Sequence, residues 1–496
     1  MKVLRVAGAA LTTALLLLWT ACGETYRPVA NPIIPSQPNP AFSHVVLVLS
    51  DNGPNNPGAS TTIDVSGDTA ESQSQTGLQP VYAAVVGGSN VYVANSMEDT
   101  ISAFGVATPA PVATISLPSS CGSPPCSMPV FVGGTETATI YVAESKANMV
   151  AAISTNTSVI TNNVTVGTNP VALAETPDQN KVYVANQGTN GSGGSVTVIN
   201  TQDKSVVANP PLAGFGWISP VWIVARSDSQ RIYVLDQGSG LVAAIDTSFD
   251  AVVSSVSVGA GANLMVYDPN LNRIYVVNPA ANTVTSLDAS TDTLPATAVS
   301  ITNPKSVAPL PDGSRFYISS ATVSGGIVTS ILTVINAADF TVKTTIPLAS
   351  VQATCAVKTW AELPVAAAAD SSRVYVGNCD AGNITDIQTS NDRLLLQIPA
   401  PVSAAAPSTV SITGALQSGV GTTYTYTLIS GAPLRVGMRI GIQSMVDAVN
   451  NGTFSIIALG AGSFTVINQF GVTAASQHGT GIASTAQNPV FVVAGP

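Results

Sequence analysis

VYVAN at Val182–Asn186 is one copy of a phrase that recurs along the whole chain. It returns as VYVAN from Val91, IYVAE from Ile140, IYVLD from Ile232, IYVVN from Ile274, FYISS from Phe316 and VYVGN from Val374. The tyrosines Tyr92, Tyr141, Tyr183, Tyr233, Tyr275, Tyr317 and Tyr375 stand 49, 42, 50, 42, 42 and 58 residues apart. A strand-rich unit repeating every ~40–50 residues marks a propeller blade. The uneven gaps mark where loops have grown between blades.

The copy around Val182 shows the unit. NPVALAE from Asn169 predicts a first strand, TPDQNK from Thr176 a tight turn, and VYVAN a second strand apolar on both faces. Such a strand suits burial between neighbouring sheets. SVTVIN from Ser195 predicts a third strand, and KSVVA from Lys204 a short outer one. Pro80, Pro129, Pro170, Pro220, Pro304 and Pro364 precede their tyrosines by 11–13 residues. Proline is tolerated at the first residue of a strand, where no ladder bond is lost. The tyrosines are expected to be core, with rings packed between blades.

The strand endings YVAN, YVLD, YVVN and YVGN resemble the YVTN-type β-propeller repeat family, with YISS at Tyr317 the furthest departure. The resemblance covers roughly residues 44–400. It implies a fold common in surface and exported proteins, and it carries no single activity.

HVVLVLSD from His44 and TTIDVSG from Thr61 predict second and third strands with no first strand before them. NPVFVVAGP from Asn488 predicts a first strand with no successor. The two ends complement each other, so the C-terminal strand is expected to complete the N-terminal blade and close the ring. The fold class expected is therefore all-β, a propeller over residues 44–401 closed by residues 488–496. Seven full repeats and the hybrid make eight blades, and seven is the alternative.

Residues 402–487 break the pattern. VSITG from Val410, TYTYTL from Thr423, VGMRIGI from Val436, NNGTFSII from Asn450, GSFTVIN from Gly462 and HGTGIA from His478 predict a small antiparallel barrel or sandwich inserted before the closing strand.

Lys2 and Arg5 precede an apolar run from Val6 to Leu18, which predicts an export signal over residues 1–21. LWTAC, ending at Cys22, resembles a bacterial lipobox, with Trp19 as a departure from its usual pattern. The resemblance implies acylation of Cys22. Residues 22–43 then form a tether rich in proline (Pro28, Pro32, Pro35, Pro38 and Pro40). Gly23 after the cysteine implies the outer membrane. An ordinary signal peptide cut near Ala21 is the alternative. In an exported chain the four remaining cysteines suggest two disulfides, with three connectivities open. Cys121 with Cys126 and Cys355 with Cys379 are the expected pairs, and free thiols are the alternative.

Net charge is −10 and only 9% of residues are charged. That balance argues against nucleic acid as a partner. His44 and His478 are the only histidines, which leaves no basis for a histidine-built metal or haem centre. No metal and no cofactor are expected.

The loops joining one blade to the next and those between second and third strands share a face, and they are long at Ser119, Gln187, Asn209 and Ser350, whereas the turns on the other face are short. Long loops on a rigid scaffold are the usual place for binding. Phe215, Trp217, Trp222 and Trp360 fall on or beside that face as candidate stacking or anchoring residues. Capping of the loop cores is the alternative role. Asp99, Glu144, Asp236 and Asp380 end or follow second strands; they serve as backbone acceptors or as Ca²⁺ ligands at the channel mouth. The expected function is non-enzymatic binding or scaffolding by a monomer held to the membrane only through its lipid anchor, with a protein or glycan as partner. A lactonase-like hydrolase or quinoprotein-like oxidoreductase is the alternative.

Overall fold

Sheets that would have free edges, and tyrosines that need apolar surroundings on both sides, together demand a ring. The computed structural model describes residues 45–495, apart from 54, 89, 107, 119–120, 122–123, 136–137, 208–210, 292–295, 354, 356–362, 403–406, 420, 432, 435–437, 469 and 485–486. The expected signal, Cys22 and the tether lie outside the described residues.

The described residues form eight antiparallel sheets of three or four strands and one closed six-stranded barrel. Eight innermost strands touch in turn: Pro80–Val86, Pro129–Gly133, Pro170–Glu175, Pro220–Ala225, Leu264–Asp268, Pro304–Pro309, Val365–Ala367 and Asn488–Ala494. The last lies against the first, so the ring is closed. This is a β-propeller.

Closure is made by pairing the two ends of the chain. Asn488–Ala494 runs antiparallel to Val45–Asp51, with Val46 opposite Ala494 and Asp51 opposite Asn488. Pro57–Asp64 and Thr69–Leu78 complete that sheet outward. The outermost strand, TAESQSQTGL, was not expected from its polar sequence, and its pattern of exposure explains why: only Ser74 and Thr76 are buried. Conversely, the outer strand expected from Lys204 is reduced to a single bridge between Ile199 and Val206, leaving that sheet with three strands.

The seven repeated tyrosines are 0–2% exposed, and their strands are buried from the second to the sixth residue. Burying a large side chain of this kind contributes about 1.5–3 kcal/mol. In five repeats a basic residue stands two places before the tyrosine, and it ties each blade to a neighbour or to its own outer turn. Lys181 pairs with Asp250 at 2.8 Å, and the Tyr183 hydroxyl donates to the same carboxylate. Arg315 and Tyr317 donate to Asp392 at 2.6 and 2.5 Å. Arg273 donates to the Ala337 carbonyl at 2.6 Å, and Arg231 to Asp246 at 2.6 Å. Arg373 forks onto Asp68 at 2.8 and 2.9 Å, joining residues 305 apart in sequence across the closing junction.

The barrel comprises Ser408–Ser418, Gly421–Ser430, Arg439–Gln443, Gly452–Gly460, Ser463–Ile467 and Gly479–Ser484. Its core is built on Val410, Ile412, Tyr424, Ile440, Ile456, Phe464 and Val466. The Gln487 amide donates to the Pro401 carbonyl at 2.7 Å, so the barrel leaves and re-enters the propeller at adjacent points.

Two outcomes follow from this architecture. Replacing residues 403–486 by a short Gly-Ser linker should leave a cooperative melt and a propeller far-UV spectrum, because the host strands already meet at Pro401 and Gln487. Failure to fold would show that the barrel belongs to the propeller core. The second outcome concerns Asp386, which is fully buried opposite Tyr375, 3.8 Å from the committed Arg373. Burial first, then the Asp68 charge, pushes its carboxyl up to about 8, against the pull of Arg373. A carboxyl raised in the folded state binds a proton that the unfolded chain has released, so stability falls as pH rises from about 4 toward 8. Asp386→Asn should flatten that fall in urea melts, and an unchanged pH slope would remove Asp386 as its source.

Candidate functional site

The inner strands decide what occupies the axis. Proline opens the strand without donating to the ladder, and the register slips between that proline and the residue two places on. That second residue is Tyr82, Phe131, Ala172 or Trp222 in successive strands, and Phe491 in the closing one. Tyr82 stacks on Phe131 with centroids 4.0 Å apart and lies 4.5 Å from Phe491. Trp222 meets Phe131 at 5.8 Å and Tyr82 at 6.4 Å. Rings from non-adjacent blades meet in this way only at the axis. Burial drives the Tyr82 phenol well above its ordinary pKa, so it stays neutral. Four aromatic side chains therefore fill the middle of the ring.

This placement corrects the expectation for Trp222. It belongs to the inner strand Pro220–Ala225 and is 7% exposed, so it is not a loop residue free to stack on a ligand. Trp217 is buried too. Its indole donates to the Leu212 carbonyl at 2.9 Å, and the half-buried Phe215 packs on it at 4.5 Å. The short 3-10 turn Pro211–Phe215 brings these groups together as a cap over the blade core, the alternative role considered for them. Trp360 lies outside the described residues.

The elaborated face is built from other parts. Cys121 is bonded to Cys126 and Cys355 to Cys379, so the loops before two inner strands are stapled. Strands Arg315–Ser324, Ile327–Asn336 and Val342–Gln352 run 10, 10 and 11 residues, against the six typical of other second strands. Ser324 pairs with Ile327 and Ile327 with Gln352, so a three-stranded flap rises from this blade. Ala321, Val328 and Leu363 form a small core at its base. The barrel enters on the same face, between Pro401 and Gln487.

Three of the four strand-end carboxylates are spent on the backbone. Asp99 accepts from the Cys126, Ser127 and Met128 amides at 2.6, 3.0 and 2.8 Å. Asp236 accepts from Ile218, Ser219 and Gly238 at 2.9, 2.7 and 3.2 Å. Asp380 accepts from the Cys355 amide at 2.8 Å. Asn95 works similarly, accepting from Gly77 at 3.1 Å; a Cβ on Gly77 would come within 2.8 Å of its side chain, so only glycine admits the loop there. Glu144 is buried, which with the nearby Asp99 charge raises its pKa despite a hydrogen bond from Ser127. Apart from the local Asp236–Gly238 bond, Asp99, Asp236 and Asp380 hold interblade loops at separations of 17–29 residues, a longer reach than the local turns expected of them. Among the described residues, no three His, Cys, Asp or Glu side chains are grouped to hold a metal ion.

No family model matches the chain, and no curated protein matches it. Solved structures do match, as propellers. AztD from Citrobacter koseri superposes with a TM-score of 0.50 at 12% identity, over 72% of this chain and 95% of that one. Virginiamycin B lyase from Staphylococcus aureus gives 0.43 at 13% identity, over 68% and 96%. Kuenenia stuttgartiensis hydrazine synthase gives 0.43 at 17% identity, over 62% and 97%. At these identities the likeness concerns the fold alone. The expectation that this chain is not an enzyme is corrected to this extent: proteins named as a lyase and a synthase are among the propellers matched, so the fold does not decide between catalysis and binding. The disulfides fit an exported protein. No helix among the described residues is long and apolar enough to cross a membrane.

Trp222→Ala should lower unfolding stability by about 3–5 kcal/mol, the cost of emptying a packed aromatic site. A loss below about 1 kcal/mol in denaturant titration would mean that the axial rings do not support the ring.

Proposed function

We propose that this chain is an envelope propeller of the YVTN type, tethered through an acylated Cys22, that recognises a protein or glycan with its elaborated face. The observation that carries this reading is the contrast between the two faces. On one face the turns are short and bonded to each other: Ser229 Oγ receives the Asp178 amide at 2.9 Å, Ser371 Oγ the Asp312 amide at 2.9 Å, and Asn270 donates to the Pro311 carbonyl at 2.7 Å. That face is a rigid base. The other carries the stapled loops, the flap and the barrel, elaborations beyond what ring closure requires.

The direction of the chain supports a matching presentation. Val45 begins its strand at the end where Ala494 sits, and Asp51 and Asn488 lie at the other end, beside the barrel junction. The chain thus enters the propeller at Val45 on the base side, opposite the elaborated face.

Two measurements test the proposal. Intact-mass analysis of detergent-extracted protein should find acyl chains on the Cys22 peptide, and an unmodified Cys22 would remove the tether. Glycan arrays and in-cell crosslinking should give a partner that is lost when the flap residues 321–330 are replaced by a tight turn. Binding that survives flap replacement and barrel excision alike would move recognition off this face.

A further inference from the structure

The inserted barrel, Ser408–Ser484, holds 11 of the 23 exposed large hydrophobic side chains among the described residues. Six of these, Leu416, Val446, Val449, Ile467, Phe470 and Val472, are 40–81% exposed. They share one end of the barrel. Ser408–Ser418 leaves the propeller at Ser408; its far end, Ser418, pairs with Gly421, which pairs with Ile467. Gln443 lies opposite Thr480, at the start of the strand whose other end returns to the propeller. The loops after Gln443 and Ile467 therefore lie at the tip furthest from the attachment.

This tip is built. Buried Asn450 accepts from the Val472 amide at 2.9 Å and donates to the Val472 carbonyl at 3.0 Å. Asn468 donates to the Val449 carbonyl at 2.9 Å, and the Tyr424 hydroxyl to the Asn450 carbonyl at 2.9 Å. Ala415 and Ala474 exchange two backbone bonds. Two loops are cross-braced so that Val446 at 81% and Phe470 at 72% exposure stand outward instead of folding inward.

Charge identifies the occupant. Residues 402–487 contain only Arg435, Arg439 and Asp447 as charged side chains, with His478 besides. Arg439 pairs opposite Ser484, at the attached end, and Gln477 donates to Asp447. Neither tip loop has a lysine or arginine to meet an acidic partner. A protruding apolar tip needs a matching pocket to be covered by protein, whereas a bilayer yields around it. Chain length brings a bilayer within reach. Residues 23–44 extend at most about 75 Å, and a 7-residue propeller strand plus an 11-residue barrel strand span about 60 Å end to end.

We propose that the barrel tip is a lipid-inserting foot, which places Val446, Val449, Ile467, Phe470, Val472 and Leu416 in the apolar edge of a membrane without requiring anionic lipid. Which membrane it meets rests on the tether proposed above; the docking itself does not.

The test uses the chain from Gly23, without the acylated cysteine, mixed with phosphatidylcholine vesicles and floated on a density gradient. The wild-type chain should float. Val446→Asp/Phe470→Asp should reduce the floating fraction by about tenfold or more, and Phe249→Asp, which alters an exposed ring on the opposite face, should leave it unchanged. Phe470→Trp gives a readout independent of the double variant, because its emission should shift to the blue on adding vesicles. A wild-type chain that does not float, with no shift from Phe470→Trp, overturns the proposal. So does a dimer in light scattering that the double variant dissolves while lipid has no effect, which would make the tip a contact between copies. Failure of Cys22 acylation would leave these results untouched.

Discussion

Everything in this molecule depends on one strand being supplied from the far end of the chain. A ring of sheets has no natural edge, yet a linear chain must begin and end somewhere. Here the cut falls within a sheet, between its innermost strand and the next. Asn488–Ala494 satisfies the edge of Val45–Asp51 and seats Phe491 against Tyr82 on the axis. The Arg373–Asp68 fork ties the neighbouring blade to the outer part of the same sheet. Without that strand the ring would present an unpaired edge and an open wedge at its centre.

The same constraint governs the barrel. It is inserted upstream of the strand that closes the ring, so its two ends must return to one place or closure fails. The bond between Gln487 and Pro401 meets that requirement. A closed barrel is suited to the task, because it carries its own core and leaves no edges of its own to be satisfied.

The two faces differ because they answer different demands. On the base, basic residues and tyrosine hydroxyls bind carboxylates and carbonyls of neighbouring turns, and short turns keep those distances small. On the opposite face the strand-end acids hold incoming loops by their amides, which frees the loop tips to vary in length. Asp99 and Asp236 each receive three amide donors. A carboxylate so engaged serves the scaffold, and chemistry on this face would have to come from residues beyond it.

The repeat, the ring, the complementarity of the ends and the inserted module were legible in the sequence, because each rests on local pattern: a five-residue apolar phrase, a proline at a fixed distance and a break in periodicity. The cysteine pairs were narrowed by proximity in the chain. What the sequence could not assign was direction. Trp222 stands three residues into a run that reads equally as loop end or strand start, and only the register slip after Pro220 turns it to the axis. The Thr69–Leu78 strand was hidden because an outer strand needs no apolar face. The basic residue two places before five of the tyrosines stands in a local pattern, yet its partners lie as far as 305 residues away. Pattern along a strand reports which residues are buried; which buried groups meet is decided only when the ring closes.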